Sequence, residues 1–234
     1  MEFATSLEKR RANGMLISGG CDSQGGVLFK PYHFEEMERI KKETGLSINL
    51  HTGLIPDGLI ERISEIGVDA ISFDVIGDDN TIRDVLHIDA SVQDYQNVYE
   101  KFVRSGLKVI PHVLVGLNKG SYSGEREAVD LISRYQPEQT VMIIFIPTKG
   151  TPMAETEPPS ISHIMDIASY MSSNLQSKLI LGCMRPRIYD DLEIDLLDMS
   201  FSGIVSPKRS TLRYVRERKW AVTKHHSCCA AAAI

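Results

Sequence analysis

The order of elements in this sequence predicts an α/β fold: a (β/α) TIM-like barrel of about seven parallel strands with outer helices, lacking the strand with which a complete barrel begins. Three observations predict it. Amphipathic helices alternate with short apolar runs along the chain, the pattern of a parallel sheet. Four joins have a helix ending at glycine and an apolar run directly behind it: Asn13-Gly14-Met15-Leu16-Ile17, Thr44-Gly45-Leu46-Ser47-Ile48, Ile66-Gly67-Val68-Asp69-Ala70-Ile71 and Ser105-Gly106-Leu107-Lys108-Val109-Ile110. Each glycine suits the left-handed residue that closes a helix. The runs from Val109 to Val115 and from Val141 to Ile146 are apolar enough for strands covered on both faces.

The elements follow in order. The chain opens with a helix over roughly residues 2–12, and strands are expected near 15–18, 47–51, 69–75, 107–115, 140–147, 178–183 and 202–206. Between them, Phe34, Met37 and Ile40 line one helix face, Leu59, Ile60, Ile63 and Ile66 a second, and Val129, Ile132 and Tyr135 a third; Ile161, Ile164, Met165, Ala168 and Met171 form a fourth. No linker or composition shift divides residues 1–222, which read as a single incomplete barrel. Residues 223–234, with the Ala230 to Ala233 run, read as a flexible tail.

Composition narrows the function classes. With 26 basic and 31 acidic residues the formal charge is −5, so no global positive field recruits nucleic acid or an anionic membrane, although local basic patches stay open. The longest apolar run, Val141 to Ile146, is far short of the ~20 residues that span a bilayer. The N-terminus has no apolar signal core, and a cytoplasmic protein is expected. Four cysteines, Cys21, Cys183, Cys228 and Cys229, are too few for a disulfide scaffold, and no pair has C-x-x-C spacing.

In parallel α/β folds the chemistry lies past the carboxyl ends of the strands. There the chain places Ser18-Gly19-Gly20-Cys21-Asp22-Ser23, His51-Thr52-Gly53, Asp74, Gly116-Leu117-Asn118 behind His112, Pro147 to Pro152, Gly182 to Arg187, and Ser206 to Ser210. The glycine pair reads equally as a βα turn or as a backbone cradle for a ligand. Cys21 and Cys183 read as small packed residues or as metal ligands, and His51 and His112 as core histidines or site groups. Arg185, Arg187, Lys208 and Arg209 follow the last two strands, where barrel enzymes often bind an anion, and Ser206 is placed to cap the next helix; the alternative is surface cations covering apolar surface. Asp190, Asp191, Glu193, Asp195 and Asp198 read as a solvated helix face.

Several of these segments, taken in order, resemble the radical S-adenosylmethionine (SAM) enzymes, and among them the biotin-synthase-like branch. Ile17-Ser18-Gly19-Gly20-Cys21-Asp22 resembles the glycine-rich motif that meets the methionine end of SAM. Val113-Leu114-Val115-Gly116-Leu117 resembles the motif near the adenine, and Ile146-Pro147-Thr148-Lys149-Gly150-Thr151-Pro152-Met153 a segment that follows strand six in biotin synthase relatives. Adding His51-Thr52-Gly53, Ser72 to Gly77 and Gly182 to Arg187 makes the chain similar to a group that includes the split, two-protein lipoyl synthases. The resemblance implies SAM binding, with Ser18, Gly19 and Gly20 at the methionine end, Asp74 at the ribose, Gly116, Leu117 and Thr151 near the adenine, and Arg185 and Arg187 holding the SAM carboxylate or the substrate. It implies a [4Fe–4S] cluster and sulfur insertion or related C–H activation, on a small-molecule or carrier-bound acyl substrate.

One departure is large. The family's Cys-x3-Cys-x2-Cys loop, which follows the first barrel strand, is absent from this sequence, and so is that strand. An upstream segment, a cluster-bearing partner subunit or loss of radical chemistry each accounts for this. Cys21 and Cys183 are candidate ligands of an auxiliary metal site, completed by His51 or His112. Two other function classes stay open: a cluster-free aldolase or isomerase acting on an anionic substrate, with Lys149 as a Schiff-base lysine, and a non-catalytic subunit that binds SAM or a carrier domain.

Overall fold

The computed structural model describes residues 1–225 and 229, so most of the expected tail lies outside the described residues. Among these residues seven strands run parallel in one sheet, in the order in which they occur along the chain: β1 (Gly14–Ile17), β2 (Ser47–His51), β3 (Ala70–Val75), β4 (Val109–Val115), β5 (Gln139–Ile144), β6 (Lys178–Leu181) and β7 (Gly203–Ile204). Among the described residues β1 pairs only with β2 and β7 only with β6, so the sheet is a curled, open half-barrel of TIM type. Sequential order is the expected result of helical crossovers of one hand.

The helices are α1 (Glu2–Lys9), α2 (Pro31–Glu43), α3 (Asp57–Ile66), α4 (Val92–Arg104), α5 (Glu125–Ser133), α6 (Ile161–Asn174), α7 (Leu192–Asp198) and α8 (Arg209–Glu217), with a short π-type turn at Thr81–Val85. Their starts follow local chemistry. Ser91 caps α4, its hydroxyl accepting from Asp94 N while the Asp94 carboxylate accepts from Ser91 N, and Ser160 accepts from His163 N at the head of α6. Gly67, at φ 70°, closes α3, and Gly106, at φ 75°, follows α4.

The other two glycine joins differ from expectation. Gly14 is not left-handed; it opens β1 where a Cβ would stand 2.7 Å from Ser47 O, so glycine there permits close strand approach, and Arg11 makes the left-handed turn at φ 59°. At the second join Thr44 leaves α2 in extended conformation.

Two apolar layers hold the fold. Between sheet and helices lie Met37, Ile48, Leu50, Ile63, Phe73, Phe102, Ile132, Met142 and Met171, all essentially inaccessible. Phe73 of β3 packs against Tyr95, Tyr99 and Phe102 of α4 at ring separations of 5.8–6.0 Å. Each fully buried apolar side chain of this size contributes about 1.5–3 kcal/mol. The second layer lines the inside of the curl, where Ala70, Ile110, Val141 and Ile180 meet in a small separate cluster. One expected core residue is displaced: Ile161 stands in the first turn of α6 and is exposed.

Candidate functional site

Because every strand runs the same way, the loops after β1 to β7 gather at one mouth. The loop after β1 folds on itself. Asp22 Oδ1 accepts from the backbone N–H groups of Gln24 and Gly26, and Cys21 bridges Val27 in antiparallel fashion. Gly26 in turn bridges Gly53 of the loop after β2; a Cβ on Gly53 would lie 2.1 Å from Gly25 O, so only glycine allows the two loops to touch. The turn leaves Ser18, Gly19, Gly20 and Cys21 exposed, with no atom within 4 Å of a Cβ built on Gly20.

The loop after β4 is anchored by a residue that the sequence reading did not single out. Glu125, 2% exposed, accepts from Gly116 N at 2.8 Å, from Ser123 N at 2.6 Å and from the His163 ring at 3.1 Å. The carboxylate therefore holds both ends of the loop that carries Gly116 and Leu117. Gly116 is buried at φ 76° against Pro159, and Leu117 is half-buried. After β5, Thr151 is exposed and its hydroxyl donates to Thr148 O at 2.7 Å, closing a turn with Gly150 at φ 86°.

Inside the curl, below the mouth, the expected histidines and Asp74 come together. Parallel register sets Asp74 beside His112 and Ser72 beside Ile110, while His51 sits opposite Ser72. His51 Nε2 is 3.2 Å from Asp74 Oδ2, and the His51 and His112 rings stack at 6.0 Å and 16°. Burial works against the His51 imidazolium, but the Asp74 hydrogen bond and charge outweigh it and raise its pKa above the usual range. Burial likewise opposes ionisation of Asp74, yet His51 and then His112 hold its carboxyl below the ordinary range.

His112 behaves oppositely: burial pushes it down to about 4. Its Nδ1 is 3.1 Å from Ile110 O, and a carbonyl only accepts, so Nδ1 carries the proton and Nε2 is left as an acceptor, facing Cys229 Sγ at 3.6 Å. Among the described residues Asp74 Oδ1 is buried without a hydrogen-bond partner. Asn49 and Ser72, deeper in the curl, exchange hydrogen bonds with one another. The cluster thus combines an ion pair, a neutral imidazole and an unmet carboxylate oxygen.

The expected anion site after β6 and β7 is filled by the chain itself. Glu193, at the start of α7, is 2% exposed rather than solvated. Its carboxylate bonds Arg185 Nη2 at 2.7 Å, Arg187 Nη1 at 3.1 Å, Lys208 N at 2.8 Å and Thr211 Oγ1 at 2.6 Å. Arg185, also 2% exposed, donates as well to the carbonyls of Gly182, Val205 and Ser206. The head of α8 therefore receives Glu193, as helix N-termini receive anions. Ser206, at φ 48°, does not cap α8; Lys208 stands at that position. Arg187 keeps an exposed side chain, and Lys208 Nζ donates to Tyr189 O. Lys149 is exposed.

Cys21 and Cys183 are both exposed, and among the described residues no group of three His, Cys, Asp or Glu side chains is placed to hold a metal ion.

Solved structures resemble this architecture. Methylornithine synthase (PylB) aligns with a TM-score of 0.63 at 14% identity, over 96% of this chain and 74% of its own. HydG, a maturase of the [FeFe]-hydrogenase, aligns at 0.66 and 14%, over 87% of this chain and 48% of its own. A domain of pyruvate-formate lyase-activating enzyme from Bacteroides vulgatus ATCC 8482 aligns at 0.56 and 11%, over 73% of this chain and 99% of its own. The chain shares their fold. It spans about three quarters of the first and about half of the second. No protein-family model and no curated protein matches the sequence.

Proposed function

We propose that this chain is a radical SAM-type barrel that binds SAM at its mouth and its substrate inside the curl. The family is the one that the strand-end motifs resemble, and the methylornithine synthase and HydG structures of like fold belong to it. The observation that carries the reading is the joint placement of the exposed Ser18-Gly19-Gly20 backbone and the Glu125-anchored Gly116-Leu117 loop at one mouth, above a polar cluster. Open space beside Gly20 suits a ligand lying directly on the backbone, and the unmet Asp74 Oδ1 suits a ligand hydroxyl such as that of a ribose.

Bound and reductively cleaved, SAM supplies a carbon radical able to remove hydrogen from an unactivated C–H bond. What this chain's own residues do is positional. Ser18 to Gly20 present backbone N–H groups to the methionine end, Asp74 holds the ribose, and Gly116, Leu117 and Thr151 border the adenine. Ala70, Ile110, Val141 and Ile180 keep the floor of the curl dry. Arg187, which also bonds Glu193 but keeps an exposed side chain, is the better placed of the two arginines to meet a ligand carboxylate, since Arg185 is buried against Glu193.

The described residues do not fit the family's [4Fe–4S] cluster, since no three ligating side chains stand together among them. In this proposal the cluster comes from a segment or partner subunit that completes the sheet beside β1, and the substrate is a small molecule or carrier-bound acyl group undergoing sulfur insertion or related chemistry in the cytoplasm. The aldolase reading loses part of its support, because two of the four cations that would bind an anionic substrate, Arg185 and Arg187, already bond Glu193.

Anaerobic reconstitution of the full chain with iron and sulfide, alone and with the product encoded immediately upstream, tests the reading. The expected outcome is 5′-deoxyadenosine formed only in the mixture, with SAM binding weakened at least about tenfold by Gly20→Val, a loss of at least about 1.4 kcal/mol. Turnover of a phosphorylated substrate by metal-free chain, with no SAM bound, overturns it.

A further inference from the structure

Charge is distributed unevenly along this chain. Seven of its 26 basic residues and one of its 31 acidic residues lie within residues 208–224, so that segment carries a formal +6 and the remainder −11. The structure shows the segment as α8 and the turn behind it. Arg209, Arg213 and Arg216 recur at i, i+4 and i+7, which puts them on one face of the helix, and all three are exposed. Thr211 on the opposite face is buried against Glu193.

These arginines differ from those within the other helices. Arg39, Arg62, Arg104 and Arg126 each bond an acidic side chain. Among the described residues no ion pair or side-chain hydrogen bond involves Arg209, Arg213, Arg216, Lys219 or Lys224. Like charges four residues apart weaken a helix, and a cation at its head opposes the macrodipole, so the Arg209 and Arg213 pair lowers the stability of α8.

Aromatic surface adjoins the row. Lys219, at φ 57°, turns the chain back, and Trp220 packs edge-on against Tyr214 at 6.0 Å while staying 41% exposed. The Arg218 guanidinium lies over both rings, 4.5 Å from the Tyr214 centroid and 5.8 Å from that of Trp220. Leu212, beside the row, is also exposed.

We propose that α8 and the turn after it form a binding surface for single-stranded nucleic acid, the Arg209, Arg213 and Arg216 row following the phosphate backbone and Trp220 stacking on a base. Successive arginines on one helix face stand about 5–6 Å apart, a spacing that lets each meet a separate phosphate, and an exposed indole offers the sequence-tolerant stacking on which single-strand binders rely. A row of cations alone suits any anionic surface; the flanking indole with its guanidinium is what favours bases over an acidic protein or a lipid headgroup. This surface lies on a different element from the SAM cradle, and the inference does not depend on the radical reading.

Trp220 is the chain's only tryptophan, so its fluorescence reports on this surface alone. The test titrates the full chain with a 12-nucleotide uridine oligomer and, separately, with phosphatidylserine vesicles, at several salt concentrations. The expected result is saturable quenching of Trp220 by the oligomer, with a log–log salt slope near −2, since each phosphate neutralised on a single strand contributes about 0.7. Arg213→Gln with Arg216→Gln, at exposed positions with circular dichroism unchanged, reduces that slope by about 1.4 and weakens binding at least tenfold at 50 mM salt. Trp220→Phe, followed by anisotropy of a labelled oligomer, keeps the slope and weakens binding. No quenching by the oligomer at 50 mM salt, quenching by vesicles alone, or an unchanged slope in the double variant each overturns the proposal.

Discussion

Asp74 serves two neighbours unequally. One oxygen holds His51 and the other is buried with no partner among the described residues, while His112, next to it in register, is kept neutral by burial. A proton titration of the two imidazoles by NMR therefore separates them: His51 titrates above its usual value and His112 near 4. Asp74→Asn lowers the His51 midpoint, because it removes the charge and acceptor that outweigh burial; an unchanged midpoint shows that the pair does not form in solution. The stability consequences have opposite signs. The His51 contribution is fully present below its unfolded pKa near 6.5 and is lost as pH rises through the higher folded value. The Asp74 contribution is present above its unfolded pKa near 3.9 and lost as pH falls through the lower folded one. His112 penalises acid: the unfolded chain takes up its proton below about pH 6.5, so stability falls from there to about pH 4, by an amount of order 3 kcal/mol. From the sequence His51 and Asp74 fall at strand ends and His112 within a strand; their contact required the strand register.

The join of α7 and α8 shows what one element does for another. Glu193 looked like one acid among five in a polar stretch, yet it is the buried partner of Arg185 and fills the head of α8. Glu193→Ala leaves a buried guanidinium facing only carbonyls, and urea unfolding is expected to show a loss of about 3–5 kcal/mol. A loss below 1 kcal/mol means that water replaces the carboxylate and the site is open to ligand anions after all. Glu125 plays the same part for the loop after β4. Neither acid was legible in the sequence, because each lies beside ordinary polar residues and its burial depends on helices that pack only in the folded chain.

The whole molecule is an open curl, and its stability is graded across the sheet. β3, β4 and β5 are covered on both sides, whereas among the described residues β1 has one partner, Leu16 is 47% exposed, and β7 is two residues long. Native-state hydrogen exchange should find amides of β4 protected roughly 100-fold more than those of β1. Equal protection, or a jump in β1 protection on adding an upstream product, locates what covers that edge. The strands, their order and the apolar helix faces were legible because they depend on local period and on alternation along the chain. Two of the four glycine stops were not left-handed, since a glycine between helix and strand serves equally to end one or to let the next approach its neighbour. The sequence by itself determined the parallel α/β curl and the strand ends after which Ser18 to Gly20 and Gly116 stand. Only the tertiary structure decided that Arg185 is spent on Glu193, that His51 and His112 differ in charge around one carboxylate, and that the arginines of α8 face outward without acidic partners among the described residues. Periodicity fixes which side of an element is buried, but the pairing of charges depends on distances of a few ångströms between segments far apart in the chain.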